Sequence, residues 1–414
     1  MATYKSIRYI VPAEAVEHTD SINALSDVDT DTTAPTDGQI LKWNNTNSKW
    51  YPGDVEESAS GTQKAIFGFG NTASGKTNIT NLVSSSGVVA SDTTGVGTAR
   101  YSLAAAGFGG DKAIFGFGDK GGNPFRTNIT NLVSNIGVVA TDTTGVGTIR
   151  TATAAAGYGE DKAIFGFGVS MSGNTNITNL VSNTGVVSSD TTGVGTAREG
   201  PAAAGFGGDK AIFGFGSTSS SNFTNISNLV SNAGVVASDT TGVGTGRDQL
   251  AATGYGGDKA IFGFGGIGQG GTSDVSVTNL VSNVGVVASD TTGVGTGRSY
   301  IAAAGYGGDK ALFGYGATED SPNGYNSSMT NLVSNTGVVA SDTTGVGTTR
   351  QRLAASGYGG DKAIFGFGWN EVYYNSADFN VTNLVSNTGV VASDTTGVGS
   401  ARQRLAAAGF STTA

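Results

Sequence analysis

Cysteine is missing from all 414 residues, which excludes disulfides, thiolate metal sites and a cysteine nucleophile. Histidine occurs once, as His18 in a polar stretch near the N-terminus, so no imidazole cluster exists for metal binding or acid–base chemistry. No apolar run approaches the roughly 20 residues that cross a bilayer, and no membrane insertion is expected. The opening MATYKSIRYIVPAEAVEHTD lacks the long apolar centre of a signal peptide. Charge is also scarce, at 13% of residues, about half the usual fraction. The net charge is −9, and residues 1–60 hold ten acidic and only four basic residues. The remainder is weakly acidic with no basic stripe, which argues against nucleic-acid binding.

Glycine is abundant instead, with 68 residues. It punctuates a repeat. The string AIFGFG, or ALFGYG in one copy, begins at residues 65, 113, 163, 211, 260, 311 and 363. The Asn of TNLVS or SNLVS stands at 81, 131, 179, 228, 279, 331 and 383. Each unit closes on an arginine: Arg100, Arg150, Arg198, Arg247, Arg298, Arg350 and Arg402. Runs of Val, Ile, Phe and Thr bounded by Gly, Asn and Asp read as short strands joined by tight turns. Four are expected per unit: LAAAGY, KAIFGFG, TNLVS and VVASDTTGVGT, the last frayed or bulged in its outer part. By alternation Ala65, Phe67 and Phe69 face one side of a strand, and Ile66, Gly68 and Gly70 the other. Large against small suits sheets that stack closely.

Four-stranded units at a period of about 50 predict an all-β, seven-bladed β-propeller over residues 61–414. The chain ends support a ring over an open stack. The first unit begins at GTQKAIFGFG with no LAAAGY strand before it, and the chain finishes on RQRLAAAGF, the missing strand. The C-terminal strand is therefore expected to close blade one and leave no free sheet edge. Residues 1–60 read as a separate extended or β segment with a hairpin over 39–54, near whose turn Trp43 and Trp50 stand.

The seven copies differ unevenly. The turns GGDK and SNTG are nearly constant and belong to one rim, since strands alternate in direction. The second-to-third and fourth-to-first loops belong to the other rim, and they vary. They carry Phe125, Arg126, Phe223, Tyr325, Trp369, Tyr373, Tyr374, Phe379, Arg352 and Arg404, the candidate ligand-binding residues. Binding sites sit disproportionately on loops held by rigid scaffolds, and aromatics beside Asn, Ser and Asp suit sugar rings or a protein surface.

Other motifs tempt. GNTASGKT at 70–77 matches the phosphate-loop pattern, but strand-like NITNLVSSSGVV follows where a helix is needed. Asp27, Asp29 and Asp31 suggest a calcium loop, but Thr32 and Gly38 stand where glycine and glutamate are required. The aspartates of the SDTT segments, Asp92 to Asp394, recur in every unit and read as structural: they cap a backbone amide or pair with a blade arginine. No constellation breaks the sevenfold symmetry in the way a catalytic site would, so no enzyme, cofactor or metal is expected.

The units resemble kelch repeats in the Arg before the first strand, the glycine-flanked second strand and the Asn/Asp turn into the fourth. The double glycine is spaced as Gly68-Phe69-Gly70, and the kelch tryptophan is absent. LSDVDT…DGQILKWNNTNSKWYPGD resembles a segment of tail-fibre and other virion proteins of tailed phages. TNLVSNTGVVASDTTGVGTAR…LAAAGYGGDKAIFGYG resembles repeat proteins of marine, chiefly cyanobacterial, phages. The resemblance implies a virion structural protein, a tail fibre or fibre-like appendage. Residues 1–60 would attach to other virion proteins, and the propeller would bind a host surface glycan or protein. A capsid decoration or connector protein is the alternative it leaves open.

Overall fold

The computed structural model describes Val28 and residues 40–44, 48–53, 62–268, 273–318, 325–370 and 376–413. Tyr373, Tyr374, His18, the aspartates of DVDTDTT and most of the proposed attachment segment lie outside the described residues. The chain divides into two compact units, Met1–Ser58 and Ala59–Ala414. In the first, Ile40–Asn44 pairs antiparallel with Lys49–Gly53, which sets Trp43 opposite Trp50.

The second unit is all-β among the described residues. Seven three-stranded antiparallel sheets share one plan. In sheet 2 strand A is Ala104–Phe108, strand B Lys112–Gly116 and strand C Thr130–Val133. Sheets 3 to 7 repeat this plan, their A strands starting at Ala154, Ala202, Ala251, Ala302 and Ala354. In sheet 1 the A strand comes from the other end of the sequence: Ala406–Phe410 pairs with Lys64–Gly68, from Lys64 opposite Phe410 to Gly68 opposite Ala406. Thr80–Val83 completes that sheet.

The expected fourth strand is not a strand. The VVASDTT segments meet strand C only at isolated bridges, such as Val83 with Val89 and Thr80 with Thr93. The physical reason is local. Thr93 Oγ1 bonds back to the Thr80 carbonyl at 2.9 Å, and the Asp92 carboxylate turns to other partners, so the ladder stops.

Successive sheets stack through a repeated contact of large on small. An ideal Cβ on Gly68 would lie 2.7 Å from the tip of Phe115 in sheet 2, and one on Gly116 would lie 2.8 Å from Phe165 in sheet 3. The series continues to Gly366 of sheet 7, whose partner is Phe67 of sheet 1. Phe67 accordingly shares an apolar cluster with Ile364 and Phe367. The close backbone approach exists because the glycine has no side chain.

Phe69 departs from the expected alternation. It lies on the face of Ile66, packed on Ala113 and Phe115, and not with Phe67. Its φ is 63°, as it nearly is for Phe117, Phe167, Phe215, Phe264, Tyr315 and Phe367. A left-handed residue turns its side chain to the other face, and for an aromatic that conformation is strained. Burial against the next sheet offsets the strain: Phe69 and Phe115 ring centroids are 5.3 Å apart, within the range of favourable aromatic pairs.

Backbone hydrogen bonds join neighbouring sheets near the A–B turns. Gly109 N–H donates to the Asp161 carbonyl, Gly159 to Asp209, Gly207 to Asp258, Gly256 to Asp309 and Gly307 to Asp361, all at 2.6 Å. Gly359 donates to Gln63 at 3.0 Å, and Ser411 to Asp111 at 2.7 Å.

Candidate functional site

Arginine dominates the seams between sheets. Arg100, Arg150, Arg198, Arg247, Arg298, Arg350 and Arg402 are all fully buried. Arg100 shows how a buried cation is satisfied. Its Nη2 donates to Asn131 Oδ1 at 2.7 Å, its Nε to the Phe117 carbonyl at 2.9 Å and its Nη1 to the Thr98 carbonyl at 3.0 Å. Its guanidinium also lies 4.1 Å from the centre of the Phe69 ring, a cation–π contact. Asn131 then donates to Asp142 at 3.0 Å, and Asp142 accepts from Thr98 N–H and, at 2.6 Å, Thr98 Oγ1. The last unit makes the same clip to sheet 1: Arg402 to Asn81 at 2.6 Å, and Ser400 to Asp92 at 2.9 and 2.8 Å.

Burial pushes Arg100, Arg150, Arg198, Arg247, Arg298 and Arg402 down to about 10, with the facing aspartate opposing it. They stay charged at neutral pH. For Asp142, Asp190, Asp239, Asp290 and Asp394 burial acts to raise the carboxyl. Hydrogen bonds from the paired Thr and Asn, with the arginine, outweigh it and hold these groups below the usual range. The repeated aspartates thus cap a backbone amide of the preceding unit and neutralise its arginine, and they are structural.

The A–B turns of sheets 2 to 7 line a cavity of about 550 Å³ with Gly107, Phe108 and Lys112 and their counterparts, and sheet 1, whose A and B strands come from opposite ends of the sequence, adds Thr62 and Gly409. Its lysines are engaged: Lys112 Nζ is 2.6 Å from Asp111, and Lys162 2.7 Å from Asp161. The turns after strand C join this end, where Asn183 donates to Asp161 at 2.9 Å. Six of the walls are near-copies of one another and offer a small ligand nearly equal orientations and little specificity, whereas the opposite ends of the A strands differ from sheet to sheet.

There the loop after each clip arginine bridges the B–C hairpin of the same sheet: Tyr101 with Asp119, Glu199 with Ser217, Asp248 with Gly266, Gln351 with Trp369. The next residue in each loop has positive φ: Ser102, Ala152, Gly200, Gln249, Tyr300, Arg352 and Arg404. These residues are chained through their backbones. Ser102 N–H donates to the Arg404 carbonyl at 3.0 Å, Arg404 to Arg352 at 3.0 Å, Arg352 to Tyr300 at 3.3 Å and Gly200 to Ala152 at 3.1 Å. Their side chains are therefore held side by side in a fixed order. Tyr300, Arg352 and Arg404 form one arc, and Ala152 and Gly200 leave another nearly bare.

The arcs also differ in charge. Arg352 lies over the rings of Tyr300 at 4.5 Å and Trp369 at 5.0 Å. Arg404 lies 5.6 Å and Lys76 5.3 Å from the Tyr101 ring. Arg126 stacks on Phe125 at 4.9 Å. The other arc carries Glu199 and Asp248. Burial, reinforced by Glu199, raises the Asp248 carboxyl to about 6.

Of the candidate residues, the structure brings Arg352, Arg404 and Trp369 together and places Phe125 with Arg126 beside Asp119. Phe223 stands on another hairpin, Phe379 closes the same B–C hairpin as Trp369, its N–H donating to the Gly368 carbonyl at 2.8 Å, and Tyr325 opens the strand Tyr325–Asn326. The side chains expected to stand exposed are half-buried, Trp369, Phe125 and Phe223 included. Tyr101, Tyr300 and Lys76 were missed. The signal available for the two tyrosines was their place one residue (Tyr101) and two residues (Tyr300) after a clip arginine, where the other copies have Thr, Glu, Asp, Ser or Gln at the first position and Ser, Ala, Gly, Gln or Arg at the second.

No family model matches the chain, and no curated protein matches its sequence. Among solved structures it is similar to YjhT, a kelch-like β-propeller protein, with a TM-score of 0.51 at 12% identity over 70% of this chain and 97% of that one. The fold is that of a β-propeller. At this identity the likeness concerns fold alone. The kelch-like resemblance of the repeats agrees with it. The segment after strand C differs from the four-stranded expectation.

Proposed function

We propose that the seven sheets are blades of a closed seven-bladed propeller, carried on a phage tail fibre or fibre-like appendage. The end bearing Arg352, Arg404 and Trp369 would meet a host surface glycan or protein. One observation carries the reading: the repeat holds one end of the molecule constant and varies the other, and the varied end is polarised into a cationic–aromatic arc and an acidic arc. A loop end under no constraint diversifies at random; it does not concentrate arginines on aromatic rings. The reading is non-catalytic. Tyr101 has a carboxylate beside it, with Asp119 3.4 Å from its hydroxyl, but burial and Asp119 raise its pKa, which disfavours a phenolate nucleophile.

The test uses full-length protein. Antibody raised against residues 61–414 is bound to intact phage particles and viewed by electron microscopy, and adsorption of the purified chain to cyanobacterial cells is measured. Label on tail or fibres with saturable adsorption supports attachment. Label spread over the head, without adsorption, supports decoration. That second reading has its own observation. Val88, Val138, Val186, Val235, Val286, Val338 and Val390, equivalent in every unit, are 61% to 67% exposed, a regular apolar series suited to packing against other virion subunits.

A further inference from the structure

We propose that Arg352 and Arg404 together hold the anionic group of an acidic saccharide, a uronate carboxylate or a sulfate ester, whose sugar ring lies against Trp369, Tyr300 or Tyr101. The proposal rests on the attachment reading and gives its ligand a chemical class.

The contrast with the clip arginines is the argument. Those seven cations are fully buried, and their forks meet Asn oxygens and backbone carbonyls. Arg352 and Arg404 also have aromatic rings against their guanidinium groups, but they are only half-buried and make no ion pair to any described carboxylate. Arg352 Nε is enclosed without an acceptor, as are Nε of Arg150, Arg198, Arg298 and Arg402, so the difference lies at the outer nitrogens of the fork, which in the clip arginines meet Asn and carbonyl oxygens. Of the nearby acids, Asp119 accepts from Gly121 N–H at 2.9 Å and approaches the Tyr101 hydroxyl, and burial raises the Asp378 carboxyl; neither forms an ion pair with Arg352 or Arg404. The backbone bond between Arg404 and Arg352 holds the two like charges close. Burial and then the Arg352 charge depress the Arg404 guanidinium. Such an arrangement costs free energy that a bound anion relieves. A guanidinium fork matches the two oxygens of a carboxylate or sulfate, and flat aromatic faces suit the apolar face of a sugar. Ala152 and Gly200 put no bulky side chain at the equivalent positions of their loops. Glu199 and Asp248 on the other arc repel a long polyanion, which favours a single anionic sugar over a nucleic acid.

The experiment is titration calorimetry of the full-length chain with four probes: a uronate oligosaccharide, a sulfated oligosaccharide, a neutral oligosaccharide of equal length, and inorganic sulfate. The expected result is binding of one acidic sugar that weakens with salt, with neutral sugar and free sulfate at least ten-fold weaker. R352Q and R404Q should each lose about ten-fold, and Trp369→Ala should weaken acidic and neutral sugars alike. Lys162→Gln, at the far end, is the control and should change nothing. Uronate binding without sulfated-sugar binding, or the reverse, identifies the group. Equal affinity for acidic and neutral sugars, affinity unchanged in R352Q/R404Q, or no acidic sugar bound would each overturn the proposal. A chain that binds acidic sugar through these arginines but does not adsorb to cells sustains the site and defeats the attachment reading. Adsorption that survives R352Q/R404Q does the converse.

Discussion

Replacing Gly366 by alanine puts a methyl group where the tip of Phe67 now lies. An ideal Cβ there would stand 2.8 Å from Phe67 Cζ and 3.1 Å from both Cε atoms. Phe67 cannot swing aside, because it is fully buried and packed edge-on against Phe367, centroids 5.3 Å apart. Overpacking of this kind costs about 1–3 kcal/mol. Gly366 has no left-handed φ, so alanine also regains about 0.4–1 kcal/mol by restricting the unfolded chain. The net expectation is destabilisation of about 1–2 kcal/mol. Gly107→Ala is the matched control. It is exposed, and the nearest atoms to its ideal Cβ are 3.6 and 3.8 Å away, so only the unfolded-state gain remains, and that variant should be slightly more stable. Guanidinium denaturation followed by tryptophan and tyrosine fluorescence measures both. Adding Phe67→Leu to Gly366→Ala should recover about 1 kcal/mol relative to additivity. Because Phe67 belongs to sheet 1 and Gly366 to sheet 7, the pair reads the seam between the two ends of the repeat. Equal stability of the Gly366 and Gly107 variants, or strict additivity with Phe67→Leu, would refute the contact.

The same seam is held by the Arg402 clip, and Asn81→Ala should cost about 2–4 kcal/mol in equilibrium unfolding, since it leaves part of a fully buried guanidinium without its acceptor. Deleting residues 403–414 removes the partner of Lys64–Gly68, and size-exclusion chromatography should show association through the uncovered edge; a monomer that melts like the full chain would contradict it. Stability should fall on acidification below about pH 4. The depressed carboxyls of Asp142, Asp190, Asp239, Asp290 and Asp394 stabilise the fold above their unfolded pKa, and the contribution is lost as pH falls through their folded values. Asp248 acts in the opposite sense: with a folded value of about 6 against 3.8, its contribution is present at pH 3 and lost as pH rises through 6. Asp248→Asn should therefore stabilise the chain by about 1 kcal/mol at pH 7, allowing for solvent screening, and leave it unchanged at pH 3; a gain independent of pH would refute the assignment.

What the sequence determined by itself was whatever depends on neighbours along the chain. Alternating apolar residues and glycine turns were enough to find strands A, B and C in every unit. Comparing the copies with one another located the constant and variable ends before any coordinates. The C-terminal LAAAGF could be matched to the unit that lacks it, because the repeat made its absence countable. The relations between sheets were not legible, because they join residues far apart in sequence. KAIFGFG reads as a regular strand, yet Phe69 turns to the opposite face, since Arg100 and the next sheet reward a left-handed backbone that alternation alone would reject. SDTT reads as part of a fourth strand, yet its aspartate is drawn to an amide of the preceding unit. Arg352, Trp369, Tyr300, Arg404 and Tyr101 are scattered over three hundred positions as ordinary loop residues, and only the tertiary structure, by chaining consecutive loops through their backbones, sets two cations that ion-pair with no described carboxylate and three rings in one place.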